Sequence, residues 1–340
     1  MKASNRQVQK KTYKTMSIFL PIVLGLGLLT VPFGILTFIF NYNSVTKNVN
    51  FAQVAPVLFL VILAGAIGVS IALTVKVKTF HITRLKRDSA FLKFASLLAS
   101  IMVLVLFAYD FYKFLFTTDI ISVLKIIRLI FAFPFAIHLF LSFLPRRINR
   151  RPVQVPKWLS LGCAISSILW SLIGLMALYF SSIPQNFFTI THTLFYIIVV
   201  LYFLFEIKFQ FIDQSSARAH LFTALLLFAF TMAIACSATI ALMAGKISNV
   251  GISAFEFVCA WSLGLYALSR IFAVKSTLKH VLDSADTDMS SRKFRHSHGK
   301  KEENKDSADT SSNENSEKAN ENEKTENEPA QADEKDNKAE

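Results

Sequence analysis

Long apolar stretches alternate with short polar segments along the chain up to residue 274. We place eight such stretches, at residues 16–40, 54–75, 90–110, 121–144, 158–180, 188–207, 220–244 and 252–274. Each has about 20 residues or more, which is the length that an α-helix needs to cross the hydrocarbon core of a bilayer. Transmembrane strands are about half as long. The pattern therefore predicts an all-α, polytopic transmembrane helical bundle of about eight spans.

The first apolar stretch differs from a cleaved signal peptide. Its apolar run extends from Ile18 to Phe40, longer than the ~7–15 residues of a signal sequence, and no small-x-small cleavage site follows it. We therefore expect this stretch to remain in the protein as a helix. Pro21 and Pro32 lie inside it and are expected to bend it, because proline removes a backbone hydrogen bond.

The polar segments alternate between strongly basic and nearly uncharged. Seventeen basic residues occupy the N-terminal segment and the second, fourth and sixth loops: Lys2, Arg6, Lys10, Lys11, Lys14, Lys76, Lys78, Arg84, Lys86, Arg87, Arg146, Arg147, Arg150, Arg151, Lys157, Lys208 and Arg218. The opposite loops hold Lys47, Lys113 and Lys246. Basic residues next to spans favour the cytoplasmic side. We therefore expect both termini to be cytoplasmic, in a plasma membrane of the bacterial type.

The net charge of +13 hides a division between the membrane part and the tail. Residues 283–340 carry 10 basic and 17 acidic side chains and almost no bulky apolar ones. Such a composition cannot bury enough apolar surface to offset the entropy of ordering. We predict three regions: a basic cytoplasmic N-terminus at 1–15, an eight-span domain at 16–282 and a disordered, charged cytoplasmic tail at 283–340.

The placement of the basic groups indicates their partners. They flank the spans, so anionic lipids at the cytoplasmic face explain them better than nucleic acid, which we do not expect as a partner. The tail has two interpretations from composition alone. It is either a solubilising segment or a docking segment for a partner protein.

Ionisable side chains at membrane depth are costly, so each is a functional hypothesis. Four of them fall near the outer ends of spans three, four and eight: Asp110, Lys125, Arg128 and Glu256. Glu256 shares a helix face with Ala260 and Gly264, which indicates that it points toward another helix. We predict that Arg128 and Glu256 face the interior and interact. The cluster is either a structural set of ion pairs or an outward-facing site for an anion, a cation or a zwitterion.

Weaker polar candidates are His138 in span four and the pair His192 and Tyr196 in span six. A histidine in a membrane can relay protons, but one near an interface more often only hydrogen-bonds a neighbour. Glu206 and Arg270 lie close to the cytoplasmic ends of their spans. We expect these two side chains to reach the surface, where a structural role suffices.

Catalytic patterns are missing from the sequence. It has no Gly-x-Ser-x-Gly elbow, no His-Glu-x-x-His zinc helix and no Gly-rich phosphate loop ending in Gly-Lys-Ser/Thr. We predict no cofactor and no metal, and we lean against an enzyme. The leading interpretation is a non-enzymatic membrane sensor or scaffold. The alternative is a secondary transporter or permease with a charged site in the outer leaflet, which predicts a central cavity reaching Asp110, Arg128 or Glu256.

Overall fold

The computed structural model describes residues 2–43, 46, 48–77, 89–116, 121–144, 147–148, 151–152, 156–180, 186–212, 217–247 and 252–302. In these ranges the helices are α1 (Lys2–Asn41), α2 (Val54–Lys76), α3 (Ala90–Phe116), α4 (Ile121–Phe143), α5 (Lys157–Phe180), α6 (Phe187–Ile207), α7 (Ala217–Phe230), α8 (Ser237–Met243) and α9 (Ala254–Glu302). Two wider, π-helical turns follow α6 and α7, at Lys208–Ile212 and Thr231–Cys236. Two short antiparallel strand pairs join Tyr42–Asn43 to Asn48–Val49 and Arg147–Ile148 to Arg151–Pro152.

The predicted number of apolar helices is confirmed within the described ranges. Eight helical stretches there are long and apolar enough to cross a membrane. The seventh of them, Ala217–Met243, consists of α7, the π-helical turn Thr231–Cys236 and α8 in one continuous rod. Most ends lie within three residues of those predicted from the apolar pattern. The chain is thus compatible with a multi-pass membrane protein.

Both terminal regions have more helix than the sequence suggested. Helix α1 begins at Lys2, so the basic segment before residue 16 belongs to the same helix as the first apolar stretch, and Thr12 within it is fully buried. Helix α9 continues to Glu302, so the backbone of 283–302 is helical where we expected irregular chain. An existing helix adds further residues at low cost, because nucleation is already complete. Residues 303–340 lie outside the described ranges, and their disorder stays a prediction.

Small residues allow the helices to approach closely. A side-chain carbon added at Gly34 on α1 would lie 2.8 Å from the carbonyl oxygen of Ala233 and would also collide with Ser237. One added at Gly264 on α9 would collide with the hydroxyl of Thr231. Close approach of this kind is the main source of helix association where lipid supplies no hydrophobic drive. These contacts pack α1 and α9 against the π-helical turn Thr231–Cys236.

Helices α4, α6 and α9 meet along a line that we call the seam. Its middle is an apolar layer of Phe135 on α4, Val199 and Phe203 on α6, and Leu263 on α9, all fully buried. The Phe135 and Phe203 rings pack edge to face with centroids 5.1 Å apart. Polar side chains of the same three helices lie on either side of this layer.

Candidate functional site

Arg128 on α4 is the centre of the first polar cluster. Its Nη1 donates to Oε1 of Glu256 on α9 at 3.2 Å and lies 3.6 Å from Oδ2 of Asp110 on α3. Its Nη2 donates to the hydroxyl oxygen of Tyr196 on α6 at 2.6 Å. One guanidinium therefore joins four helices. A planar group with several N–H donors in a fixed fork suits this task, whereas the point charge of a lysine would not.

Aromatic rings complete the surroundings of the guanidinium. Its carbon lies 4.4 Å from the centroid of the Trp170 ring on α5, a cation–π contact. Nε2 of His192, one turn before Tyr196, lies 3.6 Å from Oε2 of Glu256. Gly174 allows Tyr196 to reach its position, because a side-chain carbon there would lie 2.7 Å from Cε1 of that ring. We call Asp110, Arg128, His192, Tyr196 and Glu256 the Arg128 network.

The burial of the Arg128 network is uneven. The side chain of Arg128 is 6% exposed, while those of Asp110 and Glu256 are 14% and 18% exposed. The guanidinium is thus buried, and both carboxylates lie at the edge of the bundle, where they are partly exposed. Charges so poorly solvated must find opposite charges, either within the protein or on a ligand.

The structure brings together most of the residues that the sequence singled out. Asp110, Arg128 and Glu256 meet in one network, and His192 and Tyr196, which we had considered separately, belong to it. Lys125 lies in α4, but its side chain is outside the described part of the structure. His138 does not join this network. It is buried ten residues further along α4, with its ring 5.9 Å from that of Phe203.

Glu206 and Arg270 form a second cluster, and our expectation that they reach the surface is wrong. Glu206 on α6 is 0% exposed and Arg270 on α9 is 2% exposed. Nε of Arg270 lies 2.9 Å from Oε1 of Glu206. Both residues do lie near helix ends, but an opposite charge on the adjacent helix holds each side chain inside the bundle. The signal in the sequence was a pair of opposite charges near the same end of spans six and eight.

Further donors converge on the same carboxylate oxygen. Oε1 of Glu206 accepts from Nε2 of Gln210 at 2.7 Å and from the hydroxyl of Tyr266 at 3.0 Å. The hydroxyls of Tyr266 and Ser142 on α4 lie 3.2 Å apart. The other oxygen, Oε2, has no hydrogen-bond donor among the described residues. We call Ser142, Glu206, Gln210, Tyr266 and Arg270 the Glu206 network.

Two histidines lie close to the Glu206 network. His138 and His220 are both near enough to Glu206 to interact with it electrostatically. The ring of His220 stacks with those of Phe209, at 5.2 Å, and Tyr202, at 5.5 Å. Neither ring nitrogen of His220 has a hydrogen-bond partner in the part of the chain that the structure describes. Sequence analysis did not single out His220.

A small cavity adjoins the Arg128 network. It lies between α6, the π-helical turn Thr231–Cys236 and α9, and its wall includes His192, Thr231 and Phe257. The cavity volume is about 10 Å³, which is roughly enough for one water molecule. π-Helical turns often occur at functional sites. The cavity as it stands does not admit an organic ligand.

Comparisons with known proteins add no family to this geometry. Protein-family models, curated proteins and solved structures were searched, and none of them matches the chain.

Proposed function

We propose that the protein is a non-enzymatic, multi-pass membrane sensor that binds a small zwitterion at the Arg128 network. The observation that carries the proposal is the position of Arg128 between two carboxylates of two other helices, Asp110 and Glu256. A site with closely spaced charges of both signs matches a ligand that also carries both.

The ligand would exchange partners with the protein. Its anionic group would take the fork of Arg128, and its cationic group would take the carboxylates of Glu256 and Asp110. Charge-assisted hydrogen bonds of this type are about twice as strong as neutral ones. Every charge keeps an opposite partner during the exchange, so the site avoids leaving one buried alone. An amino acid and a zwitterionic lipid head group share this chemistry.

Close packing around the Arg128 network supports sensing. The adjoining cavity holds about one water, and the contact of Arg128 on α4 with Glu256 on α9 is closed. A zwitterion would therefore enter only if that contact opened. A ligand that binds only the opened form shifts the protein toward that form. Binding and conformational change are therefore linked at this site, as a sensor requires. A scaffold would need no such linkage.

The remaining features of the proposal concern the surroundings of the protein. We propose a plasma-membrane location with both termini in the cytoplasm, so that the Arg128 network faces outward. The basic loops on the other side would contact anionic lipids. The charged tail, 283–340, would be the segment that meets a cytoplasmic partner protein.

Ligand-dependent thermal unfolding of the purified full chain tests the proposal. The probes are glycine and glycine betaine as zwitterions, acetate and methylammonium as single charges, and micelles with phosphatidylethanolamine as the lipid form. A ligand at 100 times its Kd should stabilise the protein by about 2.7 kcal/mol. We expect this from a zwitterion, with loss in Glu256→Gln and retention in the control Asp283→Asn. Stabilisation by the lipid alone would identify the head group as the source.

A purely structural role for the Arg128 network predicts a different result. If no probe stabilises the wild type, and Glu256→Gln unfolds at a lower temperature under every condition, the network is a structural set of ion pairs. The sensor proposal would then be wrong.

A further inference from the structure

The two charge networks contain the same types of side chain. Each has an arginine paired with a glutamate, and each has a tyrosine hydroxyl in the hydrogen-bonded cluster. The Arg128 network includes His192 beside its glutamate. The Glu206 network has His220 within electrostatic reach of its glutamate. Two sites of matching chemistry on one molecule would accept the same class of ligand.

Both networks also join the same three helices. In the first, Arg128 on α4 contacts Tyr196 on α6 and Glu256 on α9. In the second, Tyr266 on α9 contacts Ser142 on α4 and Glu206 on α6. Helix α9 supplies the acid at one end and the arginine at the other. Polar contacts thus join the three helices at two places along the seam, one on each side of its apolar layer.

The spacing of the two networks is the same on each helix. Fourteen residues separate Arg128 from Ser142 on α4, His192 from Glu206 on α6 and Glu256 from Arg270 on α9. That number is close to four helical turns, so each pair lies on one helix face, about 21 Å apart along the axis. Phe135, Val199, Phe203 and Leu263 lie in the interval, and all four are fully buried.

Stability alone does not account for this arrangement. Well-packed apolar residues often stabilise a protein as much as a buried ion pair does, or more. The seam nevertheless has one such pair at each end and apolar packing between them. A charged ligand can replace either partner of an ion pair. Apolar contacts do not offer such an exchange.

We infer that the seam is a closed transport path for a small zwitterion, with the Arg128 and Glu206 networks as gates that open in turn. The inference rests on the zwitterion site proposed above and extends it from sensing to transport. A ligand that separates Arg128 from Glu256 would pass the apolar layer and then meet Arg270 and Glu206. There Oε2 of Glu206 and the ring nitrogens of His220, which have no hydrogen-bond partner among the described residues, offer it additional hydrogen bonds.

Labelling of a cysteine in the apolar layer tests the gates. Val199→Cys is placed in a full-length chain with Cys163, Cys236 and Cys259 replaced by alanine, and a membrane-impermeant maleimide is added on one side of sealed vesicles. We expect Arg128→Gln to speed labelling at least fivefold from the Glu256 side only, and Glu206→Gln to do so from the other side only. Lys246→Cys, in an exposed position, is the positive control. The inference would be overturned if the thiol introduced by Val199→Cys were labelled from neither side in both folded variants.

Exchange of radiolabelled glycine and glycine betaine across proteoliposomes provides a second test. We expect counterflow with the wild type and at least a tenfold loss with Glu206→Gln, whose Arg128 network is intact and should still be stabilised by the zwitterion. Binding without any exchange by the wild type would refute transport and leave the sensor proposal standing. Absence of both binding and exchange would refute the two together.

Discussion

Arg270 on α9 holds its Nε 2.9 Å from Oε1 of Glu206 on α6, and both side chains are almost completely buried. The pair connects two helices that are distant in sequence, near the end of α6. Removing one partner leaves the other charge in an environment that cannot solvate it. The pair as a whole, by contrast, can be replaced by an apolar contact at little cost.

The first prediction compares these two changes. Arg270→Met should destabilise the protein by about 3 kcal/mol or more, because Glu206 would lose its charged partner. The double variant Arg270→Met with Glu206→Met should recover most of that loss. Unfolding of the purified protein in a graded denaturant series measures both. A double variant no more stable than the single one would show that the hydrogen bonds from Gln210 and Tyr266, not the charges, hold this region.

Gly174 on α5 offers a matched test of the Arg128 network. A methyl group at this position would lie 2.7 Å from Cε1 of Tyr196 and push the ring away from Arg128. Gly174→Ala should therefore destabilise by about 1–3 kcal/mol, the usual cost of overpacking. It should also weaken any ligand effect that depends on Glu256.

The control lies on the same helix. No described residue lies within 4 Å of a side-chain carbon built at Gly162, so Gly162→Ala should stabilise by roughly 0.5–1 kcal/mol through helix propensity. Thermal unfolding of the two variants side by side separates packing from propensity. Equal shifts in Tm for both would mean that Tyr196 moves freely.

The sequence was sufficient for the helices and for part of the site. The apolar pattern located eight helices that are long enough to cross a bilayer, because the thickness of a bilayer sets the length of such helices. It also drew attention to Arg128 and Glu256, because a charge inside an apolar run is visible without a structure. The expectation that Glu206 and Arg270 reach the surface is wrong because it considers only the distance of each residue from the end of its own helix. Whether a side chain near a helix end reaches water depends on the neighbouring helix, which the pattern does not specify.

Trp170 and His220 show a second limit of sequence patterns. An indole in an apolar span is ordinary, and only its position over the Arg128 guanidinium makes it part of the site. His220 lies near the start of the seventh span, where a polar residue attracts no notice. Its burial and its stacking with two aromatic rings follow from the packing of three elements, and no local signal encodes them.

Close packing between α1 and the π-helical turn Thr231–Cys236 gives a prediction away from the charges. Gly34→Ala would bring a methyl group to 2.8 Å from the carbonyl oxygen of Ala233, which is backbone and cannot turn aside. We expect a loss of about 1–3 kcal/mol in thermal unfolding. Gly25→Ala, on the same helix, is the control and should not destabilise, because no described residue lies within 4 Å of the added carbon. A fall in Tm for both would point to bending of α1 instead.

The charged tail should be dispensable for folding. Residues 303–340 are mostly polar or charged and have no bulky apolar side chains to add to the core. Deleting them should change the Tm of the purified protein by less than about 1 °C and leave the amount of protein in the membrane fraction unchanged. Loss of membrane-inserted protein on truncation would contradict the prediction. Since residues 283–340 are proposed to meet a cytoplasmic partner, deletion of 303–340 should weaken capture of that partner without changing stabilisation by a zwitterion. A deletion that removed both effects would mean that the tail supports the Arg128 network itself.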